Sequence, residues 1–311
     1  MLTRPGYRQL TLSDDPKTQI VQRSLWEVMP HIWQSPSTRP APNPVLRGSL
    51  FGLVKRGEAE TLKNFCVFEG KDLSVYYDGV SLGQADMDVW LRLVQMVGQR
   101  FLDPATRTVT VEFRPSLFLR EIGREGGSHG RIGSHDREWL VQALKRLTGV
   151  ITIRTTDNRK GIMGGLIKSA AWNDDADRLV VEIDNTVGYL FTGGYSQINL
   201  DARKSLMGDD LALWLQAFIA SHKGPKATFF YSIQTLMQRC RSKITEPRKF
   251  KYRLTEKMEK LMELKADIRG FHNWVMDGDI LRVFFSEAHF EHWNYSNGGE
   301  QVCPPAETDA L

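Results

Sequence analysis

The feature that most constrains this chain is a basic, amphipathic stretch between Arg239 and Lys265. Thr245 or Glu246 is suited to cap a helix and Pro247 to occupy its first turn, so the sequence predicts a long helix that begins there. From that start, apolar residues recur at intervals of four, four and three: Phe250, Leu254, Met258 and Leu261. This spacing lines one face of a helix, which we expect to be buried.

A second stripe of side chains lies about 100° round the same helix. It repeats the spacing one residue earlier and consists of cations: Lys249, Arg253, Lys257 and Lys260. Cations beside a buried face are typical of a helix that packs on a small domain and enters the major groove of DNA. The alternative is a solvated face on which the glutamates of the helix pair with the lysines.

On the first interpretation, the stretch contacts duplex DNA. Residues near the amino-terminal end of such a helix reach base edges, and we assign this role to Arg248, Lys249, Lys251 and Arg253. The other cations are expected to anchor phosphates: Arg239, Arg241, Lys243, Lys257 and Lys260. In the first part of the chain, Arg124, Arg131 and Arg137 are expected to contact the DNA backbone.

The distribution of charge supports this choice more than the net charge does. The whole chain carries 41 Lys and Arg against 37 Asp and Glu, a formal net charge of +4. Between Asp201 and Arg282 there are sixteen basic and ten acidic residues, so the basic excess belongs to the C-terminal part. A basic segment of this kind favours a nucleic-acid partner.

Both parts of the chain share one predicted order of elements: long helix, short strand, short helix, turn, long helix and hairpin. A helix-turn-helix followed by a β hairpin is the winged-helix arrangement. We therefore predict an α+β protein with two tandem winged-helix domains, at 45–200 and 201–286. Five prolines between Pro30 and Pro44 predict a flexible tail over 1–44, and 287–311 is predicted to be a C-terminal tail.

The first domain is also predicted to contain one antiparallel sheet. Its three strands are expected at 150–154, 162–171 and 179–183, with turns between them.

No set of residues predicts catalysis, a cofactor or a metal. The glycine-rich turn at Gly127, Gly130 and Gly133 has neither the preceding strand nor the Gly-Lys-Ser/Thr ending of a phosphate-binding loop. His289 and His292 with Cys303 have no compact fourth ligand for zinc. A His-hydrophobic-His motif for a rolling-circle nuclease is also missing. We expect a protein that is not an enzyme.

Localisation is predicted from the cysteines and from apolar runs. The three cysteines have no disulfide or zinc spacing, and no signal peptide or stretch of about 18 apolar residues is present. These features predict a cytoplasmic protein with no membrane partner.

Three blocks of sequence point to a known family: RGSLFGLVKRG at 47–57, LGQADMDVWL at 82–91, and EWL with LKRL between Glu138 and Leu147. Together these blocks resemble the TrfA-type plasmid replication initiators. The similarity runs from about Val45 to Ser221 and weakens over the basic helix. The resemblance implies a tandem winged-helix protein that binds direct repeats, called iterons, in a plasmid origin. It also implies opening of an adjacent AT-rich duplex, recruitment of the host initiator protein and replicative helicase, and dimerisation through the first domain.

Gln9-Leu10-Thr11-Leu12 is similar to the start of peptides that bind the replicative sliding clamp. Ser13 stands where those peptides usually carry a large apolar residue, so a chance match is the alternative. Two other functions stay open for the chain as a whole. One is a winged-helix transcriptional repressor that binds an operator palindrome, and the other is a protein–protein module with an acidic partner.

Overall fold

The structure, a computed structural model, describes residues 37–54, 57–97, 109–124, 132–222, 228–265, 267–268 and 271–296 of the 311-residue chain. Within these ranges, helices alternate with small, mainly antiparallel sheets. This mixed content confirms the predicted α+β class. The predicted clamp-like peptide and Arg131 lie outside the described residues.

The N-terminal half, described from residue 37 to 199, holds most of the strands. Its helices are α1 (Asn43–Arg47), α2 (Gln84–Val97), α3 (Pro115–Glu121), α4 (Ser134–Leu147) and α5 (Thr186–Leu190). Its strands are β1 (Thr38–Pro42), β2 (Phe51–Gly52), β3 (Thr61–Glu69), β4 (Leu73–Val80), β5 (Leu82–Gly83), β6 (Val109–Phe113), β7 (Val150–Thr155), β8 (Gly161–Gly165), β9 (Ser169–Asn173), β10 (Arg178–Ile183) and β11 (Tyr195–Asn199).

The C-terminal half, described from residue 200 to 296, contains more helix. Its helices are α6 (Leu200–Ser205), α7 (Asp210–Ser221), α8 (Ile233–Arg239), α9 (Pro247–Glu263) and α10 (Glu287–Ser296). Its strands are β12 (Thr228–Ser232), β13 (Asn273–Asp277) and β14 (Ile280–Phe284). The basic helix α9 begins at Pro247, which the sequence predicts to lie in its first turn.

The two halves contain three-stranded sheets of the same topology. One sheet has the order β6-β10-β9 and the other β12-β14-β13, with every neighbouring pair antiparallel. In each half, the first strand follows a long helix and precedes a short helix and a second long helix. The repeated order that the sequence predicts is therefore present in the structure.

The predicted three-stranded sheet of the first domain is wrong. The segment predicted as one strand, 162–171, forms two strands in different sheets: β8 pairs with β7, and β9 pairs with β10. Leu166 and Ile167 lie between them and are 0% and 1% exposed. Because these two side chains are drawn into the core, the chain bends away from one sheet and enters the other. Strands β7 and β8 complete the sheet β3-β4-β7-β8.

The predicted tail over 1–44 is wrong for its last residues. Thr38–Pro42 forms β1, which pairs with β11, and Ala41 is fully buried. The prolines fit because β1 has a single neighbour. Flanking hydrogen bonds, from Asn43 N to Gly194 O and from Leu200 N to Ser37 O, place Pro40 and Pro42 at positions where the ladder needs no N–H donor.

The predicted C-terminal tail also contains structure, because Glu287–Ser296 forms helix α10. Its aromatic rings rest on the last strand. The ring centroids of Phe290 and Trp293 lie 5.3 and 5.9 Å from that of Phe284. Contact with a buried strand residue explains why a segment with a polar sequence is ordered here.

Two clusters of buried apolar residues form the cores of the two halves. Helix α7 takes part in both, with Ala217 and Ala220 in the N-terminal cluster and Trp214 and Phe218 in the C-terminal one. Every residue of α7 from Leu211 to Ser221 is buried. A helix buried on all sides joins the halves through a continuous apolar contact.

Candidate nucleic-acid interface

Helix α9 is fixed to the C-terminal core by its apolar face. The four residues predicted to be buried, Phe250, Leu254, Met258 and Leu261, are all 0% exposed. The helix follows α8 after a turn and is followed by the β13–β14 hairpin. This arrangement holds the opposite face of α9 toward solvent.

The first two turns of α9 present cations that the protein does not neutralise. Arg248, Lys249 and Arg253 are exposed, and none forms an ion pair or side-chain hydrogen bond with another described residue. The amino terminus of a helix adds a partial positive charge of its own. The result is a local positive surface suited to phosphates and to the acceptor groups of guanine.

Tyr252 lies among these cations and is 76% exposed. Tyr252 is not among the residues predicted to contact DNA, although its position off the apolar stripe of α9 is a signal in the sequence that points to it. A large ring kept in water on a helix that otherwise buries its apolar residues suggests a contact surface. An apolar contact with a thymine methyl group is one interaction open to it.

The later turns of α9 expose acidic residues, and their lysines are paired within the protein. Glu256, Glu259 and Glu263 are exposed, and these carboxylates would repel a phosphate backbone. Two of the lysines predicted as phosphate anchors, Lys257 and Lys260, lie 3.1 and 3.6 Å from Asp209 at the start of α7. The free positive charge of α9 is therefore concentrated at its amino-terminal end.

Lys251, which the sequence predicts as a base contact, instead faces the hairpin. Its Nζ donates to the backbone oxygen of Gly278 and lies 3.3 Å from Asp279 Oδ1. Both partners belong to the turn between β13 and β14. Lys251 therefore fixes the hairpin beside α9.

Arg239 and Arg241, predicted as phosphate anchors, connect the two halves of the protein. Arg239 Nη1 donates to Arg47 O at 2.9 Å, and the Arg239 guanidinium lies 5.2 Å from the ring centroid of Tyr231. The Arg241 side chain is 10% exposed and faces Ser49 and Glu60. Burial lowers the pKa of Arg241 below its usual value. These two residues are held within the protein.

Lys243, the next basic residue, is more exposed to solvent than Arg241. Its side chain is 51% exposed, and its Nζ lies 3.9 Å from Glu60. Together with Lys249 and Arg253 it lines an open groove of about 780 Å³ between α7 and α9. Asp209, Asp210 and Glu256 also line the groove, so its charge is mixed.

The two described arginines predicted to contact DNA in the N-terminal half have protein partners. The Arg124 guanidinium lies 3.7 Å from the ring centroid of Trp139 and 3.8 Å from Asp136 Oδ1. Arg137 pairs with Asp177 at 2.8 Å. The exposed face of α4 mixes charges and polar groups: His135, Glu138, Gln142 and Lys145. A cationic face like that of α9 is not present on α4.

In the part of the chain that the structure describes, no group of three or more His, Cys, Asp or Glu side chains could hold a metal ion. None of the described helices is long and apolar enough to cross a membrane.

Comparison with known proteins gives similarity at the level of fold. No protein-family model matches the chain, and no curated protein sequence matches it. The crystal structure of domains 2 and 3 of RctB, in its selenomethionine form, superimposes with a TM-score of 0.50 at 12% identity over 78% of this chain and 97% of that one. A second crystal structure of RctB domains 2–3 gives a TM-score of 0.46 at 10% identity, over 76% of this chain and 96% of that one. The chain therefore shares an overall fold with these two domains.

Proposed function

We propose that this chain is a plasmid replication initiator that binds iterons of a plasmid origin as double-stranded DNA. The observation that carries the proposal is the cationic face on the first two turns of α9, where Arg248, Lys249 and Arg253 are exposed and unpaired among the described residues. These side chains are free to exchange water and counterions for phosphates and base edges.

The arrangement of elements supports a winged-helix assignment for both halves. Helices α8 and α9 form the helix-turn-helix of the C-terminal half, and the β13–β14 hairpin, held by Lys251, forms the wing. In this assignment α9 enters the major groove. The N-terminal half repeats the topology with a mixed exposed face, which favours a role in dimerisation with weaker contact to the DNA backbone.

A role in replication initiation in general is supported by the blocks at 47–57, 82–91 and 138–147, which resemble the TrfA-type initiators. The fold that the chain shares with domains 2 and 3 of RctB is compatible with this role. We extend the proposal to opening of an AT-rich duplex and to recruitment of the host initiator, the replicative helicase and, through Gln9–Leu12, the sliding clamp. These steps need no catalytic group or cofactor in this chain, and they take place in the cytoplasm.

A gel-shift titration of the purified full chain tests the proposal. The probe is the DNA that flanks its own gene and contains direct repeats, and the comparison is random duplex of the same length at the same salt. We expect saturable binding in steps, one for each repeat, and weaker binding without steps on the random duplex.

Other outcomes distinguish the alternatives. A single shift on a palindrome would favour the transcriptional repressor. Equal, weak binding to both duplexes would favour a protein–protein module and contradict the initiator.

A further inference from the structure

Two basic residues of α9 face an acid from another helix instead of open solvent. Lys257 Nζ lies 3.1 Å and Lys260 Nζ 3.6 Å from Asp209 Oδ2. Lys257 Nζ also lies 2.7 Å from Glu256 Oε1. The two lysine side chains are 20% and 40% exposed, so their ammonium groups are partly withdrawn from water. Both charges are already compensated within the protein.

Asp209 is held in place by the helix that it caps. Its Oδ1 accepts a hydrogen bond from Ala212 N at 3.2 Å, which satisfies a free donor at the start of α7. Its Oδ2 is the atom that faces the two lysines. Because one oxygen is bonded to the helix, the other is kept at a fixed position beside α9.

The lysines belong to the same helical stripe as two free cations. Lys249 and Arg253, on the first two turns, have no described partner, whereas Lys257 and Lys260, one to three turns further on, meet Asp209. The change from free to paired charge coincides with the exposed glutamates of the later turns. One end of the stripe is thus available to phosphates and the other is not.

We propose that Asp209 is a positioning residue that confines the DNA contact of α9 to its first two turns by holding Lys257 and Lys260. This inference rests on the proposed function. Fewer phosphate contacts lower the affinity for any sequence, so the base contacts made by the first two turns account for a larger share of binding. Asp209 therefore lowers the sequence-independent part of the affinity without touching DNA.

The test is an Asp209→Asn variant. Asparagine caps a helix as well as aspartate does, so the change removes the charge and keeps the cap. The matched control is Asp210→Asn, which makes the same change in net charge at the next residue, where no described lysine forms an ion pair. Affinity is measured across a range of salt concentrations on a specific duplex selected from a random library and on random duplex of equal length.

For Asp209→Asn we expect the slope of log affinity against log salt to steepen by about one to two, because each added phosphate contact contributes about 0.9. The affinities for the specific and the random duplex should rise by similar factors, because phosphate contacts do not depend on sequence. Asp210→Asn should keep both wild-type slopes. A Lys257→Gln, Lys260→Gln double variant should also keep the wild-type slope, because these lysines do not contact phosphates when Asp209 is present.

Three results would overturn the inference alone: a wild-type slope for Asp209→Asn, equal steepening in Asp210→Asn, or a flatter slope in the double lysine variant. A flatter slope in the double lysine variant would mean that Lys257 and Lys260 already contact DNA in the wild-type protein. This measurement does not depend on whether the Asp209 variant folds. A wild-type protein that binds neither duplex would overturn the proposed function and this inference with it.

Discussion

At the scale of single residues, basic side chains of the same type differ in exposure and in pairing. The Arg241 side chain is only 10% exposed and faces the N-terminal half, whereas Arg253 is exposed and has no described partner. Arg203 is 3% exposed and lies between the halves. An arginine that already donates its hydrogen bonds to the protein has little left to offer a nucleic acid. We therefore place base contact on the exposed arginines.

Arg253→Gln should weaken binding to the specific duplex by about 1–3 kcal/mol and remove the preference for one base, if Arg253 donates to a guanine. The measurement is the affinity for a set of duplexes that differ at single positions. The control is Lys63→Gln. Lys63 is exposed on strand β3, far along the chain from α9, so its replacement should leave the affinity for DNA unchanged. An equal loss on specific and random duplex would contradict base contact.

His222 has an environment that disfavours its charged form. Burial lowers its pKa to about 4, and the charges of Arg47 and Arg239 act in the same direction. The imidazole ring of His222 packs against the rings of Phe218 and Phe229. Its Nε2 lies 3.1 Å from Tyr231 Oη. In the unfolded chain the pKa of the histidine returns to about 6.5. Between these two values, the unfolded state binds a proton that the folded state does not.

The free energy of unfolding should therefore fall as pH drops from about 6.5 to about 4, by up to roughly 3 kcal/mol from this group. Urea unfolding of wild type and His222→Gln at several pH values measures the effect as a difference. The variant should show a flatter dependence in that window. Parallel curves for the two proteins would show that His222 does not titrate in this way.

At the scale of elements, α9 combines a buried apolar face with an exposed face that carries cations. Leu254 is fully buried, whereas Tyr252, two residues earlier, is 76% exposed. Local spacing in the sequence is enough to separate the two faces, because a helix rotates by about 100° per residue. The same rule does not indicate which cations on the outer face find partners on other elements.

Leu254→Ala should lower the free energy of unfolding by about 2–5 kcal/mol, the usual cost of a large-to-small change in a packed core. Tyr252→Ala should change it by less than about 0.5 kcal/mol, as for other exposed positions. Urea denaturation measures both. A large loss for Tyr252→Ala would mean that its ring packs against the protein, and would weaken its assignment to the interface.

At the scale of the whole molecule, buried polar contacts join the two halves beside the apolar contact of α7. Arg203, on α6, pairs with Asp88 of α2 and donates to Leu213 O at 3.1 Å and Gln84 Oε1 at 3.0 Å. Arg47 of the N-terminal half also contributes: its Nε donates to Ser221 O, at the end of α7, at 3.1 Å. The contacts of Arg203 with Asp88 and Gln84 and the Arg47–Ser221 hydrogen bond link residues of different halves and fix their relative position.

Arg203→Met should cost about 3–5 kcal/mol in unfolding free energy, because it leaves the carboxylate of Asp88, which is only 15% exposed, without its partner. A double variant, Arg203→Met with Asp88→Leu, should cost clearly less than the sum of the two single changes. Urea unfolding of the four proteins gives the coupling energy. Additive losses would show that the pair does not act as a unit.

Much of the fold was predictable because it depends on neighbours in sequence. The start of α9 agrees with the predicted one, and the four buried residues of α9 were identified from their spacing. The errors concern segments whose state depends on distant partners. Thr38–Pro42 becomes a strand only because β11, more than 150 residues further along the chain, lies beside it.

The candidate site shows the same division. The sequence by itself determined a helix with one apolar face and a neighbouring cationic one, because periodicity is a property of local geometry. Which cations remain free was decided by the tertiary structure. Lys257 and Lys260 are paired by Asp209, Arg239 and Arg241 by the N-terminal half, and Lys251 by the hairpin turn. Ion pairs of this kind join residues far apart in the chain, so only the folded arrangement selects among them.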